Sequence, residues 1–347
     1  MRLIKIITTI LIVIIIPVLA LIAIATITDY KPNDVGLIIQ NEGAENISDS
    51  VFSVLIWNIG YAGLSSEMDF FYDGGKNVRP DENTVVTNLQ KISTFLGNHR
   101  NTDFILLQEV DKKSKRSYFT DEVAEIESLF PNHHPGFAYN YKVAFVPMPP
   151  SNPMGKVSSG LLSLSKPQPN KVERFSFPGN YSWPKNLFML DRCFLVSRFK
   201  LKGQKELVVI NTHNSAYDDG SLRDNQMNYL RSFLLEQFEK GNYVLVGGDW
   251  NQSPPGFSPD FDGYLFDDSD YKEISRDYLP QNWNWAYTNK TPTNRRVNIP
   301  FEKEKTVTTV IDFYLLSPNI EVLELKVTDL GFSNSDHQPV YLSFKLL

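Results

Sequence analysis

The sequence predicts an α/β protein built in layers, with one transmembrane helix in front of it. Three observations support this prediction. An apolar run fills most of the first 28 residues, and about ten short runs rich in β-branched and aromatic residues follow from Val51 onward. Three stretches with a helical spacing of apolar residues interrupt those runs, so strands and helices are expected to pack as layers.

The composition narrows the class of protein. The chain has 347 residues, of which 42% are hydrophobic and 21% are charged, so a packed core is expected and disorder is excluded. The single cysteine, Cys193, excludes a disulfide framework and a cysteine-rich metal site. A formal net charge of -6 provides no overall basic field, so any polyanionic ligand must be held by local groups.

The first predicted element is the apolar run from Ile6 to Ile27, which is long enough to cross a bilayer as a helix. Arg2 and Lys5 precede the run, so the positive-inside rule places the N-terminus in the cytoplasm. The sequence Ala23-Ile24-Ala25 also resembles a signal-peptidase site. We therefore expect residues 1–28 to be a transmembrane anchor or a signal peptide. The rest of the chain would be membrane-anchored outside the cytoplasm, or secreted after cleavage.

The next segment, residues 29–50, has little periodicity and reads as a linker or an edge segment. A single domain is expected over residues 51–347. Its predicted strands are Val51–Trp57, Phe104–Leu107, Val143–Val146, Leu161–Leu164, Cys193–Val196, Leu207–Asn211, Tyr243–Val246, Val310–Leu316, Val322–Val327 and Val340–Phe344. Its predicted helices are Thr84–Leu96, Asp121–Phe130 and Ser221–Glu239. Several strands are apolar throughout, which is typical of strands buried between a second sheet and a helix layer.

Polar residues recur where the apolar runs end, and loops at strand ends are where sites are usually built. These residues are Asn58, Gln108-Glu109, His213, Asp249, Asn251, Asp312 and Asp336-His337. Taken singly, most of them are explained as turn residues or solvated strand ends. Asp312 differs, because a carboxylate inside the apolar run Val310–Leu316 loses solvation and requires a compensating partner.

Together these residues supply the groups that phosphoester hydrolysis needs, namely charge stabilisation and an aligned water. Glu109, Asp336 and the side-chain carbonyl of Asn58 offer hard oxygen ligands, which select Mg²⁺ or Mn²⁺. Asp249 and Asn251 can orient the attacking water or hold a second ion.

The histidines fit the same chemistry. His337 with its proton positioned by the buried Asp312 suits general-base or phosphate-stabilising work. His213 can serve the opposite side of the phosphate.

Six motifs occur in a fixed order along the chain. They are Trp57-Asn58, Gln108-Glu109, Asn211-Thr212-His213, Gly248-Asp249-Trp250-Asn251, Ile311-Asp312-Phe313 and Ser335-Asp336-His337. This ordered set resembles the endonuclease/exonuclease/phosphatase superfamily, which includes DNase I-like nucleases, abasic-site endonucleases, neutral sphingomyelinases and inositol-polyphosphate phosphatases. The resemblance runs from about Ser53 to Phe344. It implies a four-layer α/β-sandwich with two facing mixed β-sheets, of the DNase I-like kind.

The resemblance also implies metal ligands and a water-orienting pair. Glu109 would be the principal metal ligand, with Asn58 and Asp336 beside it. Asp249 and Asn251 would orient the water.

The resemblance further pairs Asp312 with His337. A histidine at position 213 resembles the DNase I and sphingomyelinase branches, where it contacts the phosphate or assists the leaving oxygen. Arg192 and, more loosely, Tyr141 correspond to phosphate-binding positions.

We therefore expect a Mg²⁺- or Mn²⁺-dependent phosphodiesterase, nuclease-like or sphingomyelinase-like, exposed outside the cytoplasm. The alternatives are a phosphomonoesterase of inositol or sugar phosphates and a non-catalytic exported binding module on the same scaffold. The substrate is left open among nucleic acid, phospholipid and a small phosphodiester, the membrane contact is expected through the N-terminal helix, and no protein partner is inferred. The basic patches Lys112–Arg116 and Arg295–Arg296 are either solvated faces or anchors for further phosphates.

Overall fold

The computed structural model describes residues 2–216, 220–267 and 272–347. The α-helices of this part of the chain are α1 (Arg2–Ile27), α2 (Glu82–Gly97), α3 (Glu122–Leu129) and α4 (Ser221–Glu239). Its strands are β1 (Val35–Gln40), β2 (Val51–Asn58), β3 (Phe104–Asp111), β4 (His134–Val146), β5 (Gly155–Ser165), β6 (Lys171–Ser176), β7 (Cys193–Lys200), β8 (Glu206–His213), β9 (Tyr243–Asp249), β10 (Asn284–Ala286), β11 (Asn294–Arg295), β12 (Thr308–Thr309), β13 (Asp312–Leu316), β14 (Ile320–Val327) and β15 (Val340–Leu346).

Most of the strands form two sheets. The first sheet has the order β1-β6-β7-β8-β9-β13-β10, and the second sheet has the order β14-β15-β2-β3-β5-β4. Strands β11 and β12 form a separate ribbon. Within the first sheet β8 and β9 are parallel, and within the second sheet β2 and β3 are parallel, whereas the other neighbouring pairs are antiparallel. Both sheets are therefore mixed.

The two sheets pack face to face, and strand β2 shows why its sequence is apolar throughout. Val54 and Ile56 contribute to the core between the sheets, together with Leu245 and Leu316 of the first sheet. Because successive side chains of a strand point to opposite faces, the intervening positions of β2 pack on the other side, against α2 and α3. Both faces of the strand are thus buried.

The helices cover the outer faces of the sheets. In α2 the buried Val85, Leu89 and Ile92 recur at helical spacing and pack on the second sheet. On the opposite side, Leu230 and Leu234 of α4 pack on the first sheet. The order of layers is α4, first sheet, second sheet, then α2 with α3. The two mixed sheets fit the DNase I-like sandwich that the sequence predicts.

The transmembrane helix predicted in front of this domain is wrong. Residues Arg2–Ile27 do form a helix, α1, with Pro17 inside it. However, no helix among the described residues combines the length and the apolar character that crossing a membrane requires. The predicted membrane anchorage depended on such a helix and is wrong for the same reason.

Residues 29–50, predicted as a linker or an edge segment, contain an edge strand. Strand β1 pairs antiparallel with β6, from Val35 opposite Phe175 to Gln40 opposite Lys171. The described residues of this segment therefore extend the first sheet by one strand.

Candidate functional site

The site lies at one edge of the sandwich, because several strands of both sheets end there. Asn58 ends β2, His213 ends β8 and Asp249 ends β9. Strand β13 runs antiparallel to β9, so its first residue, Asp312, lies at the same edge. In the register of the first sheet His213 is opposite Asp249, and Asp249 is opposite Asp312, which places three ionisable side chains in one row.

A glycine allows this row to form. Gly248 has φ 147°, and a Cβ atom at this position would lie 2.1 Å from the carbonyl oxygen of Thr212. Strands β8 and β9 approach so closely here that a side chain cannot be accommodated. The Gly-Gly sequence before Asp249 is thus needed to bring Asp249 beside His213.

His337 and Asp312 form a buried pair. The Nδ1 atom of His337 donates to Asp312, at 2.8 Å from Oδ2 and 3.0 Å from Oδ1. The opposite ring nitrogen, Nε2, lies 3.0 Å from Nδ2 of Asn294 and 3.7 Å from Oδ2 of Asp249. The contact with Asp312 fixes both the ring orientation and the position of one proton.

The charges around His337 outweigh its burial. Burial lowers the pKa of His337, but the carboxylates of Asp312, Asp336 and Asp249 raise it, and the net result is a pKa well above the ordinary value. The three carboxylates therefore favour the protonated form of the imidazole against its burial.

His213 has the opposite electrostatic environment. Its Nε2 lies 3.4 Å from Oδ2 of Asp249. Burial lowers the pKa of His213 well below the ordinary value, and the positive charges of Arg192 and His337 lower it further. The pKa values of the two imidazoles beside Asp249 are thus shifted in opposite directions.

Asp249 is the central carboxylate. Its Oδ2 accepts a hydrogen bond from Nδ2 of Asn58 at 3.0 Å, and its Oδ1 accepts one from the backbone N–H of Asn251 at 2.9 Å. Burial raises the pKa of Asp249 to about 6, with His337 opposing and Asp312 reinforcing the shift. Asn251 itself is held by a hydrogen bond from its Nδ2 to the carbonyl oxygen of Asn214 at 2.9 Å.

Glu109 and Asp336 lie on the other side of the site. Glu109 has φ 54° where the pairing of β3 with β5 shifts register, so the bulge turns its side chain out of the strand. Burial raises the pKa of Asp336 to about 7, although His337 lowers it, and the negative charge of Glu109 raises it further. Two carboxylates brought together in this way are a favourable environment for a cation.

The turn after β2 brings Asn58 into this arrangement. Gly60, Tyr61 and Ala62 have φ of 51°, 43° and 51°, so three successive residues adopt the left-handed conformation. The backbone N–H of Gly60 donates to Oδ1 of Asn58 at 3.0 Å. A Cβ atom on Gly60 would lie 2.9 Å from Oδ1 of Asp336, so the turn lies directly against that carboxylate.

The described residues also include a buried group that could hold a metal ion. One ligand atom from each of Asp249, Asp312 and His337 lies within 4.8 Å of the others. Because Nδ1 of His337 already donates to Asp312, these two side chains satisfy each other. Glu109, beside Arg116, and Asp336, beside Ser335, bring two further carboxylates to the site, so the donor set as a whole fits a divalent cation.

The predicted site residues converge on one cavity of about 770 Å³. Those that line it are Glu109, Tyr141, Arg192, His213, Asp249, Asn251, Asp336 and His337. Asn58 and Asp312 lie behind this lining, hydrogen-bonded to Asp249 and His337 respectively. The structure thus brings all the predicted residues together, and it separates those that face the cavity from those that orient them.

The two predicted phosphate-binding residues differ in their hydrogen bonds. Nη1 of Arg192 lies 3.5 Å from the carbonyl oxygen of His213, at the cavity wall. The hydroxyl of Tyr141 donates to the carbonyl oxygen of Phe188 at 3.1 Å. Burial raises the pKa of Tyr141, so this hydroxyl remains protonated and holds the Phe188 segment.

Arg116 lines the same cavity, and sequence reasoning did not single it out because Lys112–Arg116 looked equally like a solvated face. Arg116 is only 5% exposed and donates to Asp111 through Nε at 3.1 Å and through Nη2 at 3.0 Å. Its guanidinium lies 3.6 Å from the centre of the Tyr61 ring, and its Nη2 lies 3.7 Å from Oε2 of Glu109. The available signal in the sequence was the pair formed by Asp111, directly before this run, and Arg116 at its end.

Arg295, in the other basic patch, has a structural position. It is 1% exposed, and its guanidinium donates to the backbone carbonyl oxygens of Ser65 at 2.7 Å and Met68 at 3.2 Å. Arg295 therefore holds the loop that follows β2, instead of lying on a solvated face.

Comparison with known proteins adds a family and several similar folds. A family model described as "Endonuclease/Exonuclease/phosphatase family" matches residues 55–337. A comparison with curated proteins gives no match.

Three solved structures illustrate the similarity of fold. An endonuclease/exonuclease/phosphatase from Bacteroides vulgatus is 14% identical with a TM-score of 0.55, and the match covers 86% of this chain and all (100%) of that one. ANGEL2, a 2',3'-cyclic phosphatase in complex with adenosine-2',3'-vanadate, is 17% identical with a TM-score of 0.53, and the match covers 90% of this chain and 99% of that one. The human Nocturnin catalytic domain with bound sulfate is 15% identical with a TM-score of 0.53, covering 86% and 95%.

Proposed function

The chain belongs to the endonuclease/exonuclease/phosphatase family, and this membership supports phosphoester hydrolysis as its reaction. From this premise we propose that the chain is a divalent-metal-dependent phosphodiesterase. The catalytic domain is assigned to residues 51–347. A 2',3'-cyclic phosphate is a phosphodiester, so the similarity of fold to the cyclic phosphatase ANGEL2 supports the diester class.

One observation carries the proposal. His213 and Asp249 of the first sheet line a single cavity together with Glu109 of the second sheet. Asp312, next to Asp249 in the register and behind this lining, holds His337 at the same cavity. A phosphate requires charge stabilisation from several sides at once, and these side chains supply it from both sheets.

Glu109 and Asp336 are the proposed metal ligands, with Asn58 beside them. Their oxygen atoms favour Mg²⁺ or Mn²⁺. The Oδ1 atom of Asn58 accepts one hydrogen bond from Gly60 and retains a second lone pair. When bound, the cation neutralises phosphate charge and stabilises the developing charge on an ester oxygen.

The remaining residues act on the attacking water and on the phosphate. Asp249 and Asn251 orient the water, because the Asn58 amide and the Asn251 backbone hold the Asp249 carboxylate in place. His337, held by Asp312, donates from Nε2 to a phosphate oxygen, and His213 with Arg192 contacts the phosphate from the opposite side.

The test is hydrolysis of bis(4-nitrophenyl) phosphate by the full chain, with added Mg²⁺ or Mn²⁺ and with a chelator. We expect turnover only with the metal, and the monoester 4-nitrophenyl phosphate should be a poorer substrate. Asp249→Asn and Asp312→Asn should each lower kcat by about 10²–10⁴-fold. Asp262→Asn, on an exposed aspartate, is the matched control and should leave kcat unchanged.

Full activity in chelator would contradict metal dependence. Faster turnover of the monoester would support the alternative, a phosphomonoesterase. An intact fold without any turnover would support the non-catalytic binding module.

A further inference from the structure

The cavity is larger than a phosphate group requires, and a substantial part of its lining is apolar. We propose that this part binds the organic group of the substrate, and that the preferred substrates are phosphodiesters carrying an alkyl chain. The inference rests on the proposed function and adds a substrate class to it. We define the apolar wall by the cavity-lining side chains Leu64, Phe70, Val146, Met154, Phe188 and Leu190.

The apolar wall is a distinct cluster of the fold. Its members pack together with Tyr141 and Val157, apart from the core between the sheets. Val146 is 1% exposed and Met154 is 2% exposed, so the wall is shaped by packing against the domain. A preformed apolar surface of this kind binds an apolar group without having to be ordered first.

The wall and the catalytic residues line the same cavity, which therefore has one polar and one apolar part. A ligand with a phosphate joined to an alkyl group has the same division. The volume of about 770 Å³ lies in the range of small-molecule sites, and it accommodates a chain of several carbons beside the phosphate.

The mouth of the cavity carries apolar groups beside the exposed Lys185. Tyr72 is 44% exposed and Met148 is 47% exposed, and both line the cavity. A longer chain can therefore follow an apolar surface outward. Met148 and Met154 add unbranched side chains that adapt to alkyl groups of different shape.

The chemistry of the wall favours an alkyl group over a nucleobase. Base edges require hydrogen-bonding partners, and the side chains of the wall have none. Asn140 lines the same cavity, and its buried Nδ2 atom has no hydrogen-bond partner within the part of the chain that the structure describes. A phosphate or ester oxygen of the same ligand would satisfy this donor.

The experiment uses a series of alkyl 4-nitrophenyl phosphates from methyl to octyl with the full chain and Mg²⁺. All esters release the same 4-nitrophenolate, so differences in kcat/KM report the alkyl group. We expect kcat/KM to rise about two- to fourfold for each added methylene until the wall is covered, and then to level off. The hexyl ester should therefore exceed the methyl ester by about 30-fold or more.

Variants locate the effect. Phe188→Ala removes a half-buried ring of the wall, and Met148→Ser changes an exposed side chain at the mouth, where folding is unaffected. Each should lower the ratio of hexyl to methyl kcat/KM, by about fivefold for Phe188→Ala. Leu323→Ala, on a leucine that is 49% exposed in β14 and outside the cavity, is the control and should keep the ratio.

Binding provides a readout that does not require turnover. Calorimetry should show tighter binding of hexyl phosphate than of methyl phosphate, with a negative heat-capacity change. A constant kcat/KM along the series, or a dinucleotide hydrolysed faster than the hexyl ester, would overturn the inference but leave the proposed function standing. Absence of hydrolysis for every ester would instead defeat the proposed function, and equal binding of the two alkyl phosphates would then defeat the inference as well.

Discussion

At the scale of single residues, burial separates the charged side chains that matter from those that do not. Arg116 and Asp111 form a buried ion pair beside Glu109, although they belong to a run of charges that is otherwise unremarkable in sequence. A buried ion pair contributes little net stability when intact, but removal of one partner leaves an uncompensated charge. Arg116 is therefore a sensitive position.

We expect Arg116→Met to lower the free energy of unfolding by about 3–5 kcal/mol, because Asp111 loses its bidentate partner. The double variant with Asp111→Asn should recover much of this loss. The value of kcat/KM should stay low in the single and in the double variant, since both lack the contact between Arg116 and Glu109. Urea unfolding and hydrolysis of bis(4-nitrophenyl) phosphate measure the two effects, with Arg276→Met, on a side chain that is 81% exposed, as the control. Equal activity of the double variant and the original chain would contradict this role.

Asp191 gives a prediction for pH. Burial raises the pKa of Asp191 to about 7, Asp29 raises it further, and Arg174 lowers it. The Tyr30 hydroxyl and the Cys193 thiol are the other titratable groups nearby.

A carboxyl whose pKa is raised by folding stabilises the folded state fully at pH values below its pKa in the unfolded chain. This stability is lost as the pH rises through its pKa in the folded chain. The loss should therefore fall between about pH 4 and pH 7. Asp191→Asn should remove this pH-dependent loss of stability. At pH 8 the free energy of unfolding of the variant should exceed that of the original chain by up to about 2 kcal/mol, a figure reduced because Asp191 is partly exposed. Tm measured from pH 4 to pH 8 is the check, and a parallel pH profile for both proteins would count against it. Asp262→Asn should follow the original chain.

The sequence identifies much of the site at this scale, but not the orientation of its side chains. Asp312 is recognisable because a carboxylate inside an apolar run needs a partner, and His337 is that partner. Tyr141 lines the cavity, yet its hydroxyl donates to the backbone of Phe188. Arg116 was missed because a charge run has the same appearance whether one member is buried or all are solvated.

At the scale of elements, the close approach of β8 and β9 is the most demanding feature. We expect Gly248→Ala to lower the free energy of unfolding by about 2–4 kcal/mol and to reduce kcat/KM by more than about tenfold, because the new Cβ would meet Thr212 and displace Asp249. Gly74→Ala is a matched control, with φ 96° and nothing within 4 Å of the new Cβ. It should cost about 1 kcal/mol and leave activity unchanged. Equal destabilisation in urea by both variants would show that backbone strain, and not the steric clash, is responsible.

Most of the longer strands and the amphipathic helices were predicted, including the edge strands β14 and β4, whereas β1 and β6 were not. Strand β2 is apolar on both faces, and the predicted Val51–Trp57 differs from it by one residue. Strand β6 is short and contains three charged residues, so it lacks the run of apolar residues that marks the buried strands, and β1 lies in a stretch without clear periodicity. Their pairing with each other is a tertiary effect, which local propensity does not contain.

At the scale of the whole molecule, Tyr314 links the two sheets. It lies in β13 of the first sheet, and its hydroxyl contacts the carbonyl oxygens of Val340 at 2.7 Å and Val54 at 3.1 Å in the second sheet. We expect Tyr314→Phe to lower the free energy of unfolding by about 1–3 kcal/mol, because these buried carbonyl groups lose a donor. The activity should not change, since the contact is inside the core.

Unfolding by urea, followed by fluorescence and circular dichroism, measures this effect. Tyr243→Phe, which removes an exposed hydrogen bond to Leu347, is the control and should cost well under about 1 kcal/mol. A Tyr314→Phe protein as stable as the original chain would mean that the apolar contacts alone hold the sheets together.

The layered class follows from the sequence because strands apolar on both faces require cover on both faces. Strand order does not follow in the same way, since it depends on contacts between segments far apart, such as β15 with β2. Membrane crossing was predicted from the length of the apolar run and the basic residues before it, and no helix among the described residues meets the requirement for crossing.

The row of His213, Asp249 and Asp312 is fixed by hydrogen-bonded strands, whereas the apolar wall comes largely from the segments between strands. Insertions or exchanges in those connections would alter which esters are accepted without disturbing the reacting groups. Proteins that descend from such a chain could therefore change the substrates they recognise while keeping the same reacting groups. Their sequences would differ first in the loops.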